Sequence, residues 1–96
     1  MKTAVSSKGA GLGAWIEPDL VKCGFLVIVD ENSRFETIEN NSRVTDLIKK
    51  AIDKGIQTLV TGNLEEDTFK LLKDKNVNVH FAQEGSVLEL IEKLIN

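Results

Sequence analysis

Apolar positions along this chain follow two periods, and the switches between them mark its elements. Phe25-Leu26-Val27-Ile28-Val29 is continuous apolar sequence, the pattern of a strand buried on both faces. Ile56 to Thr61 and Val77 to Phe81 predict two more strands, and Lys2 to Ser6, short and β-prone, opens the chain as the first. Arg34 to Glu39 alternates, with Phe35, Thr37 and Glu39 opposite Glu36 and Ile38. The turn residues Asp30-Glu31-Asn32-Ser33 before it predict an antiparallel hairpin with the preceding strand.

Elsewhere the period is helical. Val44, Leu47, Ile48, Ala51 and Ile52 form one apolar stripe, ended by Gly55 at the position a helix C-cap favours. Leu64, Thr68, Phe69, Leu71 and Leu72 mark the buried side of a second helix. It is expected to begin at Leu64, with Asn63 as its cap and Glu65, Glu66 and Asp67 near its positive end. Val87, Leu90, Ile91 and Leu94 stripe a third, entered through Ser86 and Glu89 at capping-box spacing. Strands that alternate with helices need parallel neighbours and right-handed crossovers. The prediction is a single α/β domain over 1–96, a mixed sheet with helices on its faces. Ser7 to Ala14, with Gly9, Gly11 and Gly13, reads as a loop, and Trp15 to Gly24 as an irregular connection around Pro18.

Composition narrows the partners. Apolar residues make up 42% and charged residues 28%, ordinary globular values, and the net charge is −3. Nucleic acid is not expected, because phosphate backbones call for clustered Lys and Arg. Lys49, Lys50 and Lys54 are interleaved with acids and read as a solvated helix face. No apolar run reaches the roughly 18 residues of a membrane span. The opening is too short for a signal-peptide core, and Cys23 is the only cysteine, so a reducing, cytoplasmic setting is expected.

Candidate chemistry is sparse. Ligand sites of open α/β sheets lie beyond the carboxyl ends of the strands, here Ser6-Ser7-Lys8, Thr61-Gly62-Asn63 and Ala82-Gln83-Glu84-Gly85. The glycine loop is spaced G-x-G-x-G with no helix directly after it, unlike a dinucleotide fingerprint. Acids at the start of the second helix would repel a phosphate. Cys23 and His80 are the only soft or borderline metal ligands, too few for a closed zinc site or a four-thiolate cluster. Cys23 reads either as a lone packed thiol or as one ligand to a cofactor held by other groups or across a dimer. His80 reads as a polar-face or strand-edge residue, and Trp15 as packed in the core or against a loop. Ser6 and Ser7 lack an elbow motif, and the strand interiors contain no Asp. No catalytic residues are assigned, and a binding protein rather than an enzyme is expected.

Several stretches together resemble the dinitrogenase iron–molybdenum cofactor-binding family, the nitrogenase accessory factor-like proteins. They are Met1-Lys2-Thr3-Ala4-Val5-Ser6-Ser7, the run from Ile16-Glu17-Pro18 through Cys23-Gly24 to Asp30, Ile38-Glu39-Asn40, Thr61-Gly62-Asn63 and Glu84-Gly85-Ser86-Val87. Asp19-Leu20-Val21-Lys22 stands where the family has Arg-Phe-Gly-Arg, and Asn41-Ser42-Arg43-Val44-Thr45 where it has a Gly- or His-rich segment. The resemblance implies a ribonuclease-H-like three-layer α/β/α fold whose five-stranded mixed sheet has an antiparallel second strand. It also implies a carrier that binds an iron–molybdenum or iron–sulfur cluster. The site would comprise Ser7, Lys22, Cys23, Thr61, Gly62 and Asn63. Cys23 would be the metal or cluster ligand, Lys22 a charge partner and Thr-Gly-Asn a hydrogen-bonding wall. The partner would be the metal cofactor or a cofactor-biosynthesis protein, and the chain a monomer or homodimer. The alternative is an interaction module of the same fold that has lost the cofactor.

Overall fold

A computed structural model describes residues 2–41 and 43–95, with Ile95 described by its backbone alone. Met1 of the opening motif and Ser42 of the segment before the first helix lie outside the described residues. In chain order the elements are β1 (Thr3–Ser7), a 3-10 turn (Leu20–Lys22), β2 (Phe25–Val29), β3 (Phe35–Glu39), α1 (Val44–Asp53), β4 (Thr58–Thr61), α2 (Glu66–Asp74), β5 (Asn78–Phe81) and α3 (Val87–Ile95).

The sheet runs β3-β2-β1-β4-β5. β2 is antiparallel to both neighbours, while β1, β4 and β5 run parallel. This is the expected mixed α/β sheet with an antiparallel second strand. β1 lies at its centre and is buried along its whole length. Its alternating side chains feed two cores. Ala4 joins Leu26, Ile28, Leu59, Leu47, Ile48, Ala51 and Leu72 on the face covered by α1 and α2. Val5 joins Val27, Val29, Val60, Val87, Leu90 and Ile91 on the face covered by α3. Period-two alternation in a strand makes a three-layer fold from one central segment.

The β2–β3 hairpin closes as its turn chemistry predicts. Asp30 Oδ1 accepts from the amides of Asn32 (2.8 Å) and Arg34 (3.0 Å), and Ser33 takes the positive φ of 63°. Gly55 sits at φ +88° and its amide reaches the Ile52 carbonyl at 2.9 Å, ending α1.

Some boundaries differ from the sequence expectation, for identifiable reasons. β4 begins at Thr58, because the Ile56 amide still bonds back to Ala51 and closes the end of α1. α2 begins at Glu66, not Leu64, and Asn63 does not cap it. Asn63 instead forms a bridge with Asp19, its amide donating to Pro18 O and its carbonyl accepting from Leu20. Trp15 is 49% exposed, where packing was expected. Its backbone forms a bridge with Ser86, and its carbonyl accepts from the Lys8 amide.

The glycine loop has a structural task that its spacing did not reveal. The carbonyls of Ala14 and Leu12 accept the amides of Val87 (2.9 Å) and Leu88 (3.0 Å). Ser86 Oγ accepts the Glu89 amide at 3.2 Å, and the Ser86 hydroxyl donates to Glu89 Oε1 at 3.1 Å. Loop and cap together satisfy amides that a helix start otherwise leaves open. Ser86→Ala should lower stability by about 1 kcal/mol and Tm by about 5 °C. Thermal unfolding followed by circular dichroism checks this, with Ser86→Asp expected to restore most of the loss.

Candidate functional site

β1 and β4 are parallel neighbours and β2 runs the other way, so Ser7, Thr61 and the start of β2 lie at one end of the sheet. The candidate residues Ser7, Lys22, Cys23, Thr61, Gly62 and Asn63 all belong to this end. A segment from Trp15 to Cys23 crosses it as a strap. Bridges between Ser7 and Ile16, Trp15 and Ser86, and Asp19 and Asn63 fasten it.

The strap takes up much of the hydrogen-bonding capacity here. Pro18 O accepts the amides of Gly62 and Asn63, each at 2.8 Å. Beneath it lie two fully buried hydroxyls, Ser6 and Thr61. The Ser6 hydroxyl is 2.7 Å from Glu17 O and 2.9 Å from Thr61 Oγ1, which is itself 3.3 Å from Pro18 O. Each hydroxyl has one proton, and these contacts accommodate both. Gly62 also accepts from Gln83 Nε2 at 2.9 Å. A Cβ at Gly62 would meet Pro18 Cβ at 2.5 Å and its carbonyl oxygen at 2.8 Å. The glycine of Thr-Gly-Asn is thus required by the strap's close approach.

Ser7 Oγ turns back on its own loop, donating to Gly9 O at 2.7 Å. Lys22 ends the 3-10 turn with its side chain exposed. Cys23 follows, 3% exposed, packed with Leu20 and Leu26 in the core under α1 and α2. Its carbonyl accepts from Asn40 Nδ2 at 2.8 Å. Burial pushes the Cys23 thiol up to about 11, the negative charges of Glu17 and Asp19 push the same way, and the Ser7 backbone opposes them.

Cys23 and His80 are not brought together. His80 pairs with Val60 in register, on the α3 face of edge strand β5, whereas Cys23 belongs to the opposite core. Among the described residues no group of three or more His, Cys, Asp or Glu is placed to hold a metal ion. No described helix is long and apolar enough to cross a membrane. Sequence reasoning placed Ser6 at a strand end and noted Glu17-Pro18, but gave neither hydroxyl nor carbonyl a role at the site. The available signal was a pair of small hydroxyl residues at the ends of two buried strands, beside an acid–Pro pair.

No family model matches the chain, and no curated protein matches it. Solved structures do. A NifB-like protein from Thermotoga, placed in the DUF35 family, superposes with a TM-score of 0.85 at 23% identity, over 98% of this chain and 86% of that one. The apo form of the orange protein from Desulfovibrio gigas gives 0.87 at 19%, over 98% and 86%. A dinitrogenase-like protein from Methanocaldococcus jannaschii gives 0.71 at 20%, over 97% and 89%. The chain therefore shares the fold of these proteins.

Two predictions follow from the strap. Gly62→Ala should cost about 1–3 kcal/mol through overpacking against Pro18, and should speed labelling of Cys23 by a thiol reagent as the strap lifts. Alkylation kinetics at neutral pH check it, with unchanged labelling counting against the strap as the barrier. The second concerns pH. The folded thiol titrates near 11 against 9.0 for the ordinary value. Below pH 9 both states are protonated and nothing is lost. Between pH 9 and 11 the unfolded chain releases the proton more readily, so stability falls, by at most about 1.4 kcal/mol per pH unit. Urea unfolding of wild type and Cys23→Ala across that window should show the extra slope only in wild type.

Proposed function

We propose that the chain is a small non-enzymatic binding protein of the cofactor-accessory kind, working through association rather than bond making. Its fold, shared with NifB-like, orange-protein and dinitrogenase-like structures, supports the class. The observation that carries the finer reading is the strap. It lies where open α/β sheets place their ligands, and it engages the groups a ligand would use.

A cluster bonded through side chains does not fit these residues as arranged. Cys23 is buried and favours the protonated form, whereas metal binding needs the thiolate. Glu17 and Asp19 make the local potential negative, which opposes an anionic cluster. Lys22 is the basic residue of the segment, and the Thr61-Gly62-Asn63 wall faces Pro18. These features favour the interaction-module reading over carriage of an iron–molybdenum or iron–sulfur cluster. The partner class that fits is a protein, such as one acting in cofactor biosynthesis.

Anaerobic incubation with iron, sulfide and molybdate, followed by desalting and metal analysis, tests the choice. The expected result is colourless protein without stoichiometric metal, identical for wild type and Cys23→Ala. A stoichiometric absorption band that disappears in Cys23→Ala would overturn it and restore the carrier reading.

A further inference from the structure

The two edges of the sheet are built differently. β3 carries Arg34 at its entry and Glu36 and Glu39 within it. Glu36 is tied to Lys54 at 3.3 Å, and Thr37 Oγ1 donates to Ala10 O at 2.7 Å, so the glycine loop reaches this strand. Charge and cover are the usual protections of an edge strand. β5 is Asn78-Val79-His80-Phe81, with no acid and no Lys or Arg.

Its backbone presents a template. Asn78 donates to Gln57 O and Ala82 to Thr61 O, both inward toward β4. By the two-residue alternation of a strand, the amides and carbonyls of Val79 and Phe81 face outward. Phe81 is 57% exposed. Beside it an open depression of about 370 Å³ is lined by Gly62, Asn63, Leu64, Glu66, Phe69 and Phe81. A free ladder next to an apolar seat is the combination by which strand-adding domains hold extended peptides.

The surrounding charge selects the occupant. Glu65, Glu66 and Asp67 open α2 and Glu84 follows β5, all exposed. Lys70 partly offsets Glu66 at 3.5 Å. Among the described residues no ion pair involves Glu65, Asp67 or Glu84. Lys73 lies 5.5 Å from the centre of the Phe69 ring, so a partner's cations would meet carboxylates rather than that ring.

We propose that the outer edge of β5 is a docking site for an extended, basic segment of a partner protein. The segment adds as a strand about 4.8 Å from β5 and seats one large apolar side chain between Phe81, Phe69 and Leu64. A four-residue edge supplies few ladder bonds, so the association is weak and reversible. This goes beyond the strap-end reading and holds whether or not a cofactor binds there.

The test is a nitrogen-15 NMR titration of the whole chain with an acetylated, amidated peptide whose Thr-Leu-Thr centre is flanked by two lysines on each side. Shifts are expected at the amides of Val79, Phe81 and Leu64. Affinity should fall about tenfold or more with glutamates in place of the lysines, or with Phe81→Ser. Methylating the peptide's backbone nitrogens should abolish it. Absence of shifts at millimolar peptide overturns the proposal, as does binding indifferent to backbone methylation. Shifts at Val79 and Phe81 on diluting the protein alone would instead assign the edge to a second copy.

Discussion

The interaction on which this end of the molecule depends is the pair of hydrogen bonds that Pro18 O accepts from the amides of Gly62 and Asn63. A strap that crosses strand ends cannot leave its peptide groups unpaired where water is excluded. The paired amides at 2.8 Å meet that need, and the Ser6 and Thr61 hydroxyls complete the layer beneath. The approach is close enough that only glycine fits at position 62. Once Pro18 is fixed, Leu20 falls into the core at 1% exposure and Cys23 follows at 3%. The thiol's chemistry is therefore a consequence of the anchor. A group placed there by packing takes the pKa of its surroundings.

Much of the fold was legible because it rests on period. The apolar run Phe25–Val29, the alternation through β3 and the stripes of α1 and α3 each follow from one rule and need no distant contact. The capping box at Ser86 worked for the same reason. Asn63 failed as a cap because a local preference met a tertiary bond: its backbone was claimed by Asp19 and Pro18, forty-odd residues earlier. Trp15 differed similarly, its main chain bridged to Ser86 while the residue stays half exposed.

The site was legible only as a location. Topology brings the ends of β1 and β4 together, so Ser7, Thr61, Gly62 and Asn63 could be expected at one end of the sheet. What those groups do there could not be read. The Gly62 and Asn63 amides are directed to a carbonyl of the strap while the Ser7 hydroxyl turns to Gly9 O, and no spacing rule predicts which backbone oxygen will arrive. The separation of Cys23 from His80 was equally hidden, because it depends on which face of the sheet each residue occupies.

Placing a closed end beside an open edge gives the molecule a direction. At the strap, the Pro18 carbonyl and the buried Ser6 and Thr61 hydroxyls have partners, and the glycine leaves no space for a larger residue. A few residues away, β5 ends on an exposed Phe81 above an apolar seat with acids at its rim. Gly62 and Asn63 belong to both, bonded to Pro18 on one side and lining the depression on the other. A partner strand seated on β5 would therefore press on the same loop that anchors the strap. The rigid bond at Pro18 then acts as the wall against which that contact is made, because a depression lined by a loop keeps its shape only when the loop is held from behind.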